Sequence, residues 1–232
     1  MSEAPVLSAR ALSLVYGDGA RRTTAVEALD LDVARGEFVG LVGPSGSGKS
    51  SLLFLLAGLR RPTTGRVLLL GRPLDAAPDR NAALRRRHVG FVFQEPFLVP
   101  WLSLRENALV HATGPGAAAR VEDLARRVGV AHLLDERPHR VSGGERQRAG
   151  LLRALANDPD LVLADEPTAF LDHPTGHAVM DVLRACVGRA ALVVVTHDPE
   201  MLAGAHRVLH LRDGRLEATT AAGSPPATAA GA

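Results

Sequence analysis

Cysteine occurs once in the 232 residues, at Cys186, so no internal disulfide can form. Apolar runs such as Leu52 to Ala57 fall far short of the roughly 20 residues a membrane-spanning helix requires. Met1 to Pro5 has neither the basic nor the apolar region of a signal peptide, and together these absences predict a cytoplasmic location. Aromatics are limited to six Phe, one Trp and one Tyr, which leaves few stacking platforms for single-stranded nucleic acid. Arg60-Arg61 and Arg85 to Arg87 therefore read as solvated faces, and no direct nucleic-acid partner is expected. Charge of one sign is lacking too: the formal balance is +2, and the pI of about 9.3 overstates the field because little titrates before arginine. The most telling scarcity is lysine, since Lys49 is the single lysine among 27 basic residues.

What is present is globular in character, with 46% hydrophobic and 22% charged residues, enough for one large domain. Leu29 to Val33 alternates with the period of a half-buried strand, and Val6 to Tyr16 and Arg66 to Leu70 are its expected companions in an antiparallel β layer. Phe38 to Val42, Val89 to Val92, Leu161 to Ala164 and Ala191 to Val195 are continuous apolar runs, the mark of strands covered on both faces. An α/β core with a parallel sheet follows. From about 95 to 155 the pattern turns helical, with a Ser103/Glu106 capping-box spacing and Val121, Leu124, Ala125 and Val128 on one face. The expected organisation is one domain over 1–217 with this helical insert, then a mobile tail over 218–232 that has almost nothing to bury.

Chemistry enters at Gly43-Pro44-Ser45-Gly46-Ser47-Gly48-Lys49-Ser50, which follows an apolar strand and opens the helix-compatible run that begins at Ser51. This is a complete phosphate-binding loop of the Walker A kind: glycines let backbone N–H groups turn inward, and the helix N-terminus adds partial positive charge. Lys49 would reach the β and γ phosphates of ATP and Ser50 would ligate Mg²⁺. In a chain that uses arginine at every other cationic position, lysine stands only where a slim point charge must fit inside a closed loop.

Val141 to Arg148 reads VSGGERQR, which closely resembles the signature of ABC ATPases, with Val141 where Leu is usual and Glu145 where Gln is common. Ser142, Gly143, Gly144 and Glu145 open an amphipathic run, so a hydroxyl, bare N–H groups and a helix N-terminus could bind a second anion. The resemblance extends to Leu161 to Glu166 as Walker B. There Asp165 would hold the Mg²⁺ shell and Glu166 would act as general base or polarise the attacking water. Gln94 is similar to the Q-loop glutamine that senses Mg²⁺ and the γ phosphate, and His197 to the switch histidine that orients the catalytic water. Tyr16 stands where the family places an aromatic against adenine. Asp172 corresponds to the D-loop aspartate, although Phe170 departs from the small residues usual beside it.

The resemblance, covering about Val6 to Leu216, is to the group of lipoprotein-release, macrolide-export and cell-division ATPases. It implies a P-loop NTPase core, ATP and Mg²⁺ as ligands, and a homodimer or paired ABC subunit in which Ser142 to Gly144 of one protomer complete the other's site. It further implies a separate integral membrane permease docking near Glu95 to His111, with the chain peripheral on the inner face of the cell membrane. Phe97, Leu98, Trp101 and Leu102 lie in that segment, where each could equally be subdomain core. The competing class is a soluble ABC ATPase acting as a mechanical clamp in DNA repair or translation, which the absence of a coiled-coil insertion or tandem domain weighs against. Two His-x3-His pairs, His173/His177 and His206/His210, suggest metal, but neither has a local acid or Cys completing a shell. The second lies on a strand-like segment where such positions are about 13 Å apart.

Overall fold

The computed structural model describes residues 4–17, 22–74 and 78–221. In chain order the strands and helices are β1 (Leu7–Tyr16), β2 (Thr23–Val33), β3 (Phe38–Val42), α1 (Lys49–Leu56), β4 (Thr64–Leu69), β5 (Arg72–Pro73), α2 (Pro78–His88), β6 (Val89–Val92), α3 (Leu104–Leu109) and α4 (Ala117–Arg127). They continue with α5 (Gly143–Leu155), β7 (Leu161–Asp165), α6 (His173–Arg184), β8 (Ala191–Val195), β9 (Arg207–Arg212) and β10 (Arg215–Ala221). Two sheets result, one ordered β2-β1-β4-β5 and antiparallel throughout, the other ordered β10-β9-β3-β8-β7-β6. In the second, β9, β3, β8, β7 and β6 run parallel and β10 closes the edge antiparallel.

The continuous apolar runs exist because two cores lie on opposite faces of the parallel sheet. Val39, Leu41, Leu161, Leu163, Val193 and Val195 face the core shared with α1 and the antiparallel layer. The alternate residues Phe38, Val162, Ala164, Leu192 and Val194 face the core shared with α4, α5 and α6. Successive side chains of a strand point to opposite faces, so a strand sandwiched between cores has no solvent-facing position to make polar. Burying one such side chain is worth about 1.5–3 kcal/mol, which is why these strands tolerate no charge until Asp165.

The helical insert holds α3, α4 and α5. Ser103 caps α3, accepting from the Glu106 N–H at 3.1 Å while Glu106 accepts from the Ser103 N–H at 2.8 Å. Val121, Leu124, Ala125 and Val128 all turn inward. Two expectations need correction. Arg85, read as solvated, is half-buried on α2, and its guanidinium donates to the Gly58 carbonyl at 2.9 Å; Arg86 and Arg87 are exposed. The stretch expected to be tail from 218 instead continues β10 to Ala221, because Thr219 and Thr220 pair with Leu209 and Val208. The rest of that stretch, 222–232, lies outside the described residues.

Candidate functional site

Strand order places the chemistry. Because β3, β8, β7 and β6 are neighbours and parallel, their carboxyl ends deliver the 43–50 loop, His197, Asp165 with Glu166, and Gln94 in succession along one sheet edge. Open α/β sheets bind ligands along such an edge.

The 43–50 loop is shaped by backbone that only glycine permits. Gly48 has φ of 100°, and a Cβ there would lie 2.0 Å from the Ala25 carbonyl oxygen; at Gly43 it would lie 2.1 Å from that of Leu211. Pro44, Ser45 and Gly46 are exposed, whereas Ser47 is buried with its Oγ unpartnered. Lys49 opens α1 and its Nζ donates to the carbonyls of Gly43 and Pro44 at 2.8 and 2.9 Å, which holds the ammonium over the loop. The helix start has neither a capping side chain nor an acid in its first turn, so its N–H groups are free for an anion. Tyr16 hydrogen-bonds through its hydroxyl to Ser51 Oγ at 3.1 Å, and the Arg60 guanidinium covers one ring face at 4.7 Å from the centroid. A base stacking on Tyr16 uses the other face or displaces Arg60.

Asp165 is 5% exposed and its Oδ1 has no partner. Burial pushes its carboxyl pKa up; a hydrogen bond from Ser50 opposes this, the Glu166 charge adds to it and Lys49 reduces it. A buried carboxylate with a bare oxygen beside a hydroxyl is an all-oxygen donor set that fits Mg²⁺. Gln94, expected as a third metal contact, is exposed on the loop after β6 and makes no hydrogen bond with either residue.

Asp165 also sets a pH-dependent stability. Its raised folded pKa means the stability it allows is fully present below the unfolded value of 3.8 and is lost as pH rises through the folded pKa. Asp165→Asn should therefore raise the melting temperature of nucleotide-free, divalent-free protein at neutral pH, by about 1 kcal/mol of stability. The gain should shrink as pH falls toward the ordinary carboxylate range. Thermal unfolding across that pH series measures it, and an unchanged or lower melting temperature at pH 7 contradicts the argument.

Glu166 sits at φ 46°, a left-handed backbone that costs a non-glycine residue about 1–3 kcal/mol and persists only where surroundings enforce it. Its N–H donates to the Val195 carbonyl at 2.9 Å, and its Oε2 lies 2.9 Å from His197 Nδ1. The carboxylate is largely enclosed while the imidazole is exposed. The turn beyond is pinned, with the buried Thr196 Oγ1 accepting from the Asp198 N–H and Asp198 Oδ1 from the Glu200 N–H.

Ser142 is the N-cap of α5 in a reciprocal capping box: its Oγ accepts from the Glu145 N–H at 3.3 Å, and Glu145 accepts from the Ser142 N–H at 2.7 Å. That donation holds the Glu145 carboxyl below its usual range. The Ser142 hydroxyl also hydrogen-bonds the Glu145 carboxylate, so an anion arriving at this helix start would compete with Glu145 for its proton. A Cβ on Gly144 would meet Leu171 at 3.1 Å, whereas one on Gly143 would make only ordinary contact with the Arg146 guanidinium at 3.8 Å. Gly144 thus neighbours the segment before Asp172. Asp172 caps α6 by accepting from the Thr175 N–H at 2.9 Å, which lowers its pKa.

One positioning residue lies within VSGGERQR without having been assigned a role. Gln147, 2% exposed on α5, donates through Nε2 to the carbonyls of Phe93 at 3.0 Å and Pro167 at 3.5 Å. It ties the residue before Gln94 to the residue after Glu166 from the helix that Ser142 caps. Its place in VSGGERQR and on the buried face of α5 are the sequence signals that could have found it.

The segment after Gln94 divides. Phe97 and Trp101 are 65% and 71% exposed, while Leu98 packs against Leu104, Val141 and Ala149 and Leu102 is half-buried. Arg153 donates to the carbonyls of Pro96 and Phe97, supporting Phe97 at φ 43° with its ring edge-on to Phe93 at 5.4 Å. A cavity of about 660 Å³ lined by Leu59, Phe91, Phe93, Phe97 and Arg153 opens beside it.

The histidine pairs also part. His206 Nδ1 accepts from the Phe38 N–H at 2.9 Å, a structural role. His173 and His177 have no local acid, but the 3₁₀ turn Pro199–Leu202 brings Glu200 to them from farther along the chain.

Residues 26–169 match the ABC transporter family. The chain is 42% identical to the lipoprotein-releasing system ATP-binding protein LolD of Pseudomonas syringae pv. tomato, over 93% of this chain and 99% of that protein. It is 39% identical to the macrolide export ATP-binding/permease protein MacB of Nitrosomonas europaea, over 96% of this chain but 35% of that longer protein. The fold is similar to the ATP-binding cassette MJ0796, solved as a dimer in a post-hydrolysis state bound to ADP and Pi. The TM-score is 0.86 at 32% identity, over 93% of this chain and 98% of that one.

Proposed function

The chain belongs to the ABC transporter family and is an ATP-binding ATPase subunit, and from that premise we propose that two copies sandwich ATP and energise a separate integral membrane permease. The observation that carries this is the single sheet edge on which the 43–50 loop, Asp165, Glu166 and His197 converge, with the Glu166–His197 contact already made.

In this reading the loop N–H groups and Lys49 Nζ hold the β and γ phosphates, Lys49 exchanging its two carbonyl partners for phosphate oxygens. Glu166 accepts a proton from the attacking water, and His197, exposed and anchored to Glu166 by Nδ1, turns its other nitrogen to the γ phosphate. Ser50 and Asp165, with Gln94 from the loop after β6, would hold Mg²⁺. When bound, that ion would supply charge neutralisation at the phosphates. Ser142, Gly143 and Gly144 of a second protomer complete the pocket, a reading supported by Gly144 lying against Leu171 and Phe170, just before Asp172, in its own chain. Asp172 then lies at the seam between protomers.

Among the described residues no helix is long and apolar enough to cross a membrane. Transport therefore needs a partner, and exposed Phe97 and Trp101 beside an apolar cavity support docking of a permease's cytoplasmic segment between Glu95 and His111. The chain would work on the cytoplasmic face of the membrane. The test is purification from detergent-solubilised membranes. An integral membrane protein should accompany the wild-type chain and be lost from Phe97→Ser/Trp101→Ser, while that variant keeps its own ATPase rate. Association with ribosomes or nucleic acid in its place, or a membrane partner indifferent to the substitution, overturns the reading.

A further inference from the structure

We propose that His173, His177 and Glu200 form a binding site for one divalent ion of the zinc class, separate from the ATP site and independent of the permease reading. His173 and His177 are four apart on α6, a spacing that stacks two imidazoles on one helix face. Their rings are 4.5 Å apart at the centroids. Glu200 arrives from the 3₁₀ turn that follows His197 and Asp198, and its Oε2 lies 3.0 Å from His173 Nε2. All three offer a donor atom within 4.8 Å of one another, a spread that bonds of about 2.0–2.2 Å to one shared ion can span with small side-chain rotations.

The donors are held by packing beneath them. Met201, 2% exposed, lies under α6, where a Cβ on Gly176 would be 3.8 Å from its Cε, and Arg184 of α6 donates to the Met201 carbonyl at 3.1 Å. The start of α6 is fixed by the Asp172 cap and the 3₁₀ turn by Asp198. Closing the site therefore orders little beyond three side chains. Two imidazoles and one carboxylate suit Zn²⁺ or Ni²⁺, whereas Mg²⁺ prefers oxygen alone. His173 and Glu200 are exposed and His177 half-buried, which leaves room for water as remaining ligand. An ion here would clamp the segment beginning at Asp172 to the one following His197.

Co²⁺ is the probe, because its visible absorption reports nitrogen and oxygen coordination. Titrated into metal-free full-length protein with Mg²⁺ in excess, Co²⁺ should give a band saturating at one ion per chain and bleached by Zn²⁺. His177→Ala and Glu200→Gln should each weaken that binding about ten-fold or more, and Asp165→Asn should leave it unchanged. Zn²⁺ should raise the melting temperature of the wild type but not of His177→Ala. Metal-free melting temperatures should agree within the small amount a surface pair is worth, which excludes misfolding as the cause. Absence of a saturating band, a band that survives His177→Ala, or one that disappears with Asp165→Asn instead overturns the proposal.

Discussion

Glu166→Gln should leave ATP binding at least as tight as in the wild type and reduce turnover by about 10²–10⁴-fold, the range a general base supplies. The exchange is nearly isosteric. The amide oxygen can still accept from His197 Nδ1, now 2.9 Å from the carboxylate, and the backbone at φ 46° is imposed by the surroundings and the Val195 carbonyl rather than by the side-chain charge. What is lost is the ability to take a proton from water. A second effect acts on the neighbour: the Glu166 charge is one cause of the raised Asp165 pKa, so its removal favours the ionised Asp165 that a cation needs. The variant should therefore hold ATP and Mg²⁺ without cleaving, which equilibrium nucleotide binding and phosphate release measure on one preparation. Turnover within a few-fold of wild type would remove Glu166 from its assigned role.

The parts of the fold that could be read from residues are those whose physics is local or periodic. Leu161 to Ala164 and Ala191 to Val195 announce doubly covered strands because every position needs an apolar side chain, and the Ser103/Glu106 spacing announces a helix start because the box closes within four residues. The same spacing at Ser142 and Glu145 is an equally good box, so one pair of residues starts α5 and, in the proposed dimer, would present its N-terminus to an anion. What could not be read is carried by contacts between segments distant along the chain. Gln147 bridges Phe93 and Pro167, Arg60 lies over Tyr16, and Glu200 reaches His173; none leaves a periodic trace. α2 escaped for another reason: its arginine-rich end has no apolar stripe to mark a helix, and among its last arginines Arg85 is the half-buried one, donating to the Gly58 carbonyl.

Two chains that are each inactive should regain ATPase activity when mixed, provided the pocket is shared between protomers. Lys49→Ala removes the ammonium from the 43–50 loop but leaves Ser142 to Gly144 intact. Ser142→Glu places a carboxylate where a partner's γ phosphate would meet the start of α5, and leaves the loop intact. In a homodimer of either variant both composite sites carry a defect. In the mixed dimer one site inherits both defects and the other inherits none, because each site takes its loop from one chain and its Ser142 from the other. Random pairing with independent sites should restore about a quarter of the wild-type rate per chain, growing with total concentration as dimers form. The alternative, a pocket completed within one chain, predicts no recovery at any ratio or concentration. Ser142→Glu also removes a helix cap worth about 1 kcal/mol, so the mixture is compared with each variant at equal folded fraction, measured by circular dichroism. Recovery to well above the sum of the two variants assigns the signature segment to the partner's ATP. A strictly additive rate, from chains shown to pair, would place Ser142 outside the pocket.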